Sequence, residues 1–288
     1  MRESRGTGGR RAVLLAGLGL VAPWLMGWGM ASPAAQQPRW AVVPLAQPGG
    51  LEYRLEDGRH SRLLPWSDSD PGYRSRFERW ELAREADLDG DGVPEAIVLH
   101  YTGGAHCCFE YLIAASTPND IVVWDWFSLG NSRLADIQDL DGDGVPELLA
   151  RDDRFAYFPG LSYADTPFLP LVLCRSVTRR YYDCTAQRFP ELLRDSARQF
   201  AQALAAAPPE TTRLSAADRF PRPMVYAQAL GLLGSYLRLG SPSAVEEGWA
   251  QVRALCPDCA QWLRGQSEAL QQALQVVYPR RDPSMQLD

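Results

Sequence analysis

Two nine-residue runs of this chain are identical. Asp87-Leu88-Asp89-Gly90-Asp91-Gly92-Val93-Pro94-Glu95 recurs, 52 residues on, as Asp139-Leu140-Asp141-Gly142-Asp143-Gly144-Val145-Pro146-Glu147. Each copy carries carboxylates at positions 1, 3, 5 and 9, with no histidine or cysteine among them. Hard anionic oxygen suits a hard divalent cation and disfavours zinc and copper. Calcium takes six to eight oxygens in flexible geometry, whereas magnesium insists on an octahedron and keeps water. The expected ligands are Asp87, Asp89, Asp91 and Glu95 with the carbonyl of Val93, then Asp139, Asp141, Asp143 and Glu147 with that of Val145. The glycines at positions 4 and 6 permit the positive φ values that such a wrap demands. Without a cation, four converging carboxylates repel one another.

Weaker constellations accompany the repeat. A two-residue turn at Gly103-Gly104 would set His100 opposite Cys107 and His106 opposite Tyr101, and cross-strand partners share a face. A Cys–His pair there could serve a hydrolytic cleft or bind a metal. A buried cysteine beside a packed histidine is the plainer alternative. Cys256-Pro257-Asp258-Cys259 resembles a redox dithiol, but its all-helical setting points to a local disulfide. Cys174 and Cys184 flank a short Arg/Tyr segment and could staple a hairpin. Trp124 and Trp126, at period two, are expected to share a strand face, in the core or as a platform for sugar rings. The basic segment Arg175 to Arg180 could meet an anionic partner, or remain a solvated loop.

The elements that must position these residues change along the chain. From Trp40 to about Thr185, short runs rich in Val, Ile, Trp, Tyr and Phe alternate with Asp-Gly, Gly-Gly, Pro and Asn punctuation, which predicts strands. Leu51–Leu55, Ala96–Tyr101, Cys107–Ala114, Ile121–Phe127 and Leu169–Arg175 are examples, with hairpins expected at Glu56-Asp57-Gly58 and after Tyr101. Beyond Phe189 the period changes. Leu193, Ala197, Phe200 and Leu204, then Tyr226, Leu230, Leu233 and Leu237, then Val245, Trp249, Val252 and Cys256 recur at helical spacing. Ser241-Pro242 reads as an N-cap and first helical residue. The expected fold is a mainly β domain over 40–187, propeller-like or a sandwich of antiparallel strands, followed by an α-helical subdomain of about four helices over 188–288.

An EF-hand would need a bidentate Glu at position 12. Position 12 is Val98 in one copy and Ala150 in the other, and both loops run into strand-like segments. The D-x-D-x-D-G-x-x-E form followed by a strand resembles the FG-GAP, or VCBS-type, repeat of the integrin α amino-terminal β-propeller. The likeness covers the two nonapeptides and the strands after them, over roughly 80–175. It implies two Ca²⁺ sites with the ligands named above and a structural or adhesion-type role toward a protein or glycan partner. The β-like stretch is too short for a closed ring of seven blades, so a partial propeller or a sandwich is expected.

The chain of 288 residues carries a formal charge of −6, and each of its 29 basic residues is Arg. So acidic a chain is poorly suited to sequence-independent nucleic-acid binding, which needs basic surface to displace counterions. Arg2, Arg5, Arg10 and Arg11 precede a neutral stretch to Met30 and a small-x-small signature at Gly29-Met30-Ala31. This is the order of a secretory signal over residues 1–31, followed by a linker over 32–39. Arg10-Arg11 also permits twin-arginine export. Membrane contact would follow only if that segment stays uncleaved. A periplasmic or extracellular destination agrees with six cysteines, all beyond the signal.

Overall fold

The computed structural model describes residues 39–47, 50–65, 78–104, 108–207 and 223–281. The secretory signal and linker expected at the amino terminus lie outside them, as do His106 and Cys107. No helix among the described residues is long and apolar enough to cross a membrane. These residues belong to one unit, Gln37–Asp288.

The β part holds three antiparallel sheets among the described residues, each a simple meander. The first contains β1 (Ala41–Gln47), β2 (Gly50–Glu56) and β3 (Ser61–Leu63). The second contains β4 (Arg79–Ala86), β5 (Glu95–Tyr101), β6 (Phe109–Ser116) and β7 (Ile121–Ser128). The third contains β8 (Asp136–Gln138), β9 (Glu147–Asp152), β10 (Leu169–Arg175) and β11 (Tyr181–Asp183). No barrel closes. Each acidic nonapeptide joins the first two strands of a four-stranded meander, β4 to β5 and β8 to β9. Thus the sequence repeat is a repeat of sheets.

Strand β5 shows why the second sheet sits in the middle. All of Ala96–Leu99 is buried, so both faces of the strand are covered. Ala96 and Val98 join Leu112, Ala114, Trp80 and Trp126 against Trp40, Leu55 and Leu64 from the first sheet and its flanks. Ile97 and Leu99 join Tyr111, Ile113 and Phe127 against Leu148, Leu171, Leu173 and Tyr181 of the third sheet. Alternating residues of one strand thus supply two cores, as the two-residue period of a strand requires.

Trp124 and Trp126 do not share a face, contrary to the period-two expectation. Pairing runs Ile113↔Asp125 but Ala114↔Val123, so Trp124 is the extra residue of a β-bulge. A bulge re-aims the side chains around it. Trp124 packs in the core toward the third sheet and Trp126 in the core toward the first. Both are buried, so this pair forms no exposed platform for sugar rings.

The helices α1 (Thr185–Arg188), α2 (Pro190–Ala205), α3 (Pro223–Leu239), α4 (Pro242–Leu255), α5 (Pro257–Gly265) and α6 (Ser267–Leu274) follow. That is six among the described residues rather than about four. Leu193, Ala197 and Leu204 of α2 are buried, as their spacing predicts. Ser241 caps α4 by accepting the Ala244 N–H at 3.2 Å, with Pro242 at the first turn. The helical core takes in Phe155, Phe158, Leu161 and Leu169, so the helices pack onto the β part. Disulfides Cys174–Cys184 and Cys256–Cys259 close the β10–β11 hairpin and the α4–α5 junction.

Candidate metal centre

The two acidic loops are wound largely by their own side chains. In the first, Asp87 accepts the Gly90 N–H at 2.7 Å and the Gly92 N–H at 2.8 Å through its two oxygens. Asp91 accepts the Val93 N–H at 2.7 Å, and Glu95 accepts the Leu88 N–H at 2.7 Å. The second loop repeats the pattern. Asp139 accepts from Gly142 and Gly144, Asp143 from Val145, and Glu147 from Leu140. Gly90 and Gly142 have φ of 80° and 78°, and Gly92 and Gly144 both have 86°. L side chains rarely adopt such values, which is why glycine fills positions 4 and 6.

This winding brings oxygens of Asp87, Asp89 and Glu95 within 4.8 Å of one another, and likewise those of Asp139, Asp141 and Glu147. Asp91 and Asp143 hold their loops through one oxygen to the N–H two residues on. Val93 and Val145 enter the geometry through those same amides. The glutamates are the first residues of β5 and β9 and are buried, so the sheets fix the inner wall of each cluster.

The charge balance of the first cluster stands apart. Seven carboxylates are buried among the described residues: Asp57, Glu95, Glu110, Asp125, Glu147, Asp152 and Asp153. Six have a basic side chain within ion-pair distance. His60 serves Asp57, His100 serves Glu110, and Arg180 and Arg281 serve Asp125. Arg188 serves Glu147, Arg154 and Arg238 serve Asp152, and Arg280 serves Asp153. Glu95 has none. Burial is the main force pushing its pKa up to about 8, against the Leu88 hydrogen bond, with the charges of Asp89, Asp91 and Asp87 adding to it. Asp89 Oδ1 beside it is buried and accepts no hydrogen bond. Its other oxygen lies 3.7 Å from the half-exposed Arg179.

In the second cluster, Arg188 enters from the end of α1. Its Nη2 is hydrogen-bonded to Asp141 and lies 3.6 Å from Asp143, and its Nη1 lies 3.6 Å from Glu147. Glu147 is also raised in pKa, by burial first and then, against the Leu140 hydrogen bond, by Asp143 and Asp139. Nothing in the local sequence marks Arg188 for this position. It lies 47 residues from Asp141, and only the packing of α1 on the third sheet brings the two together.

The hydrolytic cleft expected at His100 and Cys107 takes a different form. The β5–β6 register pairs His100 with Glu110 and Tyr101 with Phe109. The connection runs from Thr102 to Cys108, longer than a two-residue turn, and so the cross-strand partner changes. His100 is fully buried, with Nδ1 2.8 Å from Glu110 and Nε2 2.8 Å from Glu78. Its ring stacks on Trp80 at 4.2 Å. Burial opposes a charge on the ring. The hydrogen bonds and charges of Glu110 and Glu78 outweigh it and hold the pKa above the usual histidine range. With both nitrogens engaged, His100 ties β5 to β6 and to the residue before β4.

The basic Arg175-to-Arg180 segment is exposed at Val177–Arg179, yet two of its arginines meet the fold. Arg180 pairs with the buried Asp125 and Arg179 lies over the Trp124 ring at 4.5 Å. Cys256 and Cys259 are bonded to each other, in line with a structural rather than a thiolate role. Disulfides of this kind persist in oxidising compartments.

No family model matches the chain, and no solved structure matches it. A probable thylakoid lumen protein of Synechocystis sp. is 36% identical over 81 residues, 26% of this chain and 23% of that protein. The chain therefore spans about a quarter of the length of the curated relative it matches.

Proposed function

We infer that this is an exported calcium-binding protein whose two FG-GAP-like loops hold its sheets together, a structural or interaction module. The observation that carries the reading is Glu95. A carboxylate buried without a basic partner, beside a buried Asp89 oxygen that accepts nothing, is costly unless a cation sits against it. Every donor there is oxygen, and the loop supplies several carboxylates in flexible backbone, which fits calcium. Asp87, Asp89 and Glu95 would hold the ion in the first loop, with Asp91 and the Val93 carbonyl as further oxygens. Asp139, Asp141, Asp143, Val145 and Glu147 are the counterparts in the second. Bound calcium would supply positive charge at the corner where β4 meets β5 and β8 meets β9, and so fix the first hairpin of each meander. Export is supported by the amino-terminal pattern, by the disulfides Cys174–Cys184 and Cys256–Cys259 and by the lumenal relative. The helical layer would complete a surface for a protein or glycan partner.

The test is thermal unfolding in millimolar CaCl₂ and in chelator, with metal analysis of the purified protein. At 100 times the dissociation constant, a site specific to the folded state adds about 2.7 kcal/mol. For a chain of this size that raises Tm by roughly 5–10 °C. Asp89→Asn should remove much of the gain. An unchanged Tm together with no bound metal would refute the reading.

A further inference from the structure

The two loops have one sequence but different surroundings, and the difference lies in what arginine does at each. At the second loop the Arg188 guanidinium reaches Asp141, Asp143 and Glu147 at once, three of the four acidic positions. Its planar fork suits carboxylates better than any other side chain. Its Nη1 also donates to Cys174 Sγ at 3.3 Å, and the residue closes α1, four positions after Cys184. Backbone N–H groups of Arg188 and Phe189 bonded to Cys184 and Thr185 hold that end of α1 in place. The guanidinium is thus carried by a short helix anchored on the disulfide-bonded hairpin. At the first loop the nearest arginine, Arg179, makes one 3.7 Å approach to Asp89, is half exposed, and does not reach Glu95.

We propose that Arg188 is a built-in competitor for the cation of the second loop, so that the two copies bind calcium unequally and the second fills only when Arg188 swings out. This rests on the calcium reading and gives the two sites an order. The first loop is open to the ion. The second already holds a positive charge against the same oxygens, and an ion can enter only when that charge has left. If the guanidinium occupies the loop about nine-tenths of the time, the apparent affinity of the second site falls about tenfold below its intrinsic value. Filling it releases the residue that ties α1 to the third sheet.

Isothermal titration of the whole chain with CaCl₂, after stripping with chelator, tests this. Wild type should show one strong step and a second at least about tenfold weaker. In Arg188→Gln the second step should tighten by about tenfold and approach the first, while Arg179→Gln leaves the second step unchanged. Adding Asp141→Asn to Arg188→Gln should remove the second step, which assigns it to this loop. Arg188→Gln should also melt below wild type in chelator, where three acids lose their counter-charge, and at or above wild type in saturating calcium. A change of sign with calcium is not the mark of a purely structural ion pair. Should that variant fail to fold, the Arg188 Nε–H resonance of the wild type gives the same answer. It should move to the free-arginine position as the second step fills and not during the first. Two equal steps in wild type, an unchanged second step in Arg188→Gln, or a stationary Arg188 resonance would overturn the proposal and leave the calcium reading intact. No binding heat in wild type or Arg188→Gln would overturn both.

Discussion

His100 separates a structural histidine from a catalytic one, because the geometry predicts both the size and the pH dependence of its loss. Glu78 and Glu110 each place an oxygen 2.8 Å from a ring nitrogen, and both carboxyl side chains are only 9% exposed. His100→Phe would keep an aromatic ring against Trp80 but leave two buried carboxylates facing each other without a cation. Removing one partner of a buried ion pair costs about 3–5 kcal/mol. For a protein of this length that is a loss of roughly 6–20 °C in Tm.

The pH dependence follows from linkage. The folded pKa of His100 is raised, so its contribution is complete below its unfolded value near 6.5 and is lost as pH rises through the folded value. The difference in unfolding free energy between wild type and variant should therefore be largest below about pH 6.5 and decline as pH rises above it. Taking this difference cancels the titration of groups common to both proteins. The assay is urea unfolding by circular dichroism in saturating CaCl₂ at several pH values from 4.5 to 9. A deficit below about 1 kcal/mol, or one that is flat across that range, would refute the reasoning.

Two further perturbations probe the frame around the loops. Asp125 is buried between the second and third sheets, where it accepts the Tyr181 N–H at 2.8 Å and pairs with Arg180 and Arg281. Asp125→Ala should cost about 3–5 kcal/mol in chemical denaturation, with Asp125→Asn milder because an oxygen remains for Tyr181. Gly142→Ala should cost about 1–2 kcal/mol by thermal unfolding, since its φ is 78° and the added methyl meets nothing within 4 Å. Gly90→Ala should cost more, since its methyl would come 3.3 Å from the Gly144 carbonyl oxygen.

The acidic loops were legible because their local chemistry is self-contained. Aspartates that accept nearby backbone N–H groups, glycines at the positive-φ positions and a glutamate opening a strand all lie within nine residues. The meander and helix textures were legible for the same reason, as the spacing of apolar residues records which face is covered. What was not legible depends on counting across a connection. The partner of His100 is set by the length of the loop from Thr102 to Cys108, and a shift of register exchanges one partner for another. The tryptophan pair departs from period two because one extra residue in β7 reverses the alternation beyond it. Glu78 and Arg188 leave no local signature, since each meets its partner only through tertiary packing.

The corner where the loops meet shows why an acidic chain keeps so many arginines inside. Gly90 of one loop lies against the Gly144 carbonyl of the other, so the two acidic clusters are neighbours on adjacent sheets. Their charges repel across that contact as well as within each loop. Two arginines come to the same corner, Arg179 from the β10–β11 turn and Arg188 from α1, and both segments are anchored by Cys174–Cys184. Elsewhere Asp125, Asp152 and Asp153 are each met by arginine forks that cross from one part of the fold to another. The β part is thus held by apolar faces between its sheets and by arginine at its buried acids. Glu95 departs from that rule among the described residues, a buried carboxylate without a basic partner, and that departure is the observation behind the calcium site proposed at the first loop.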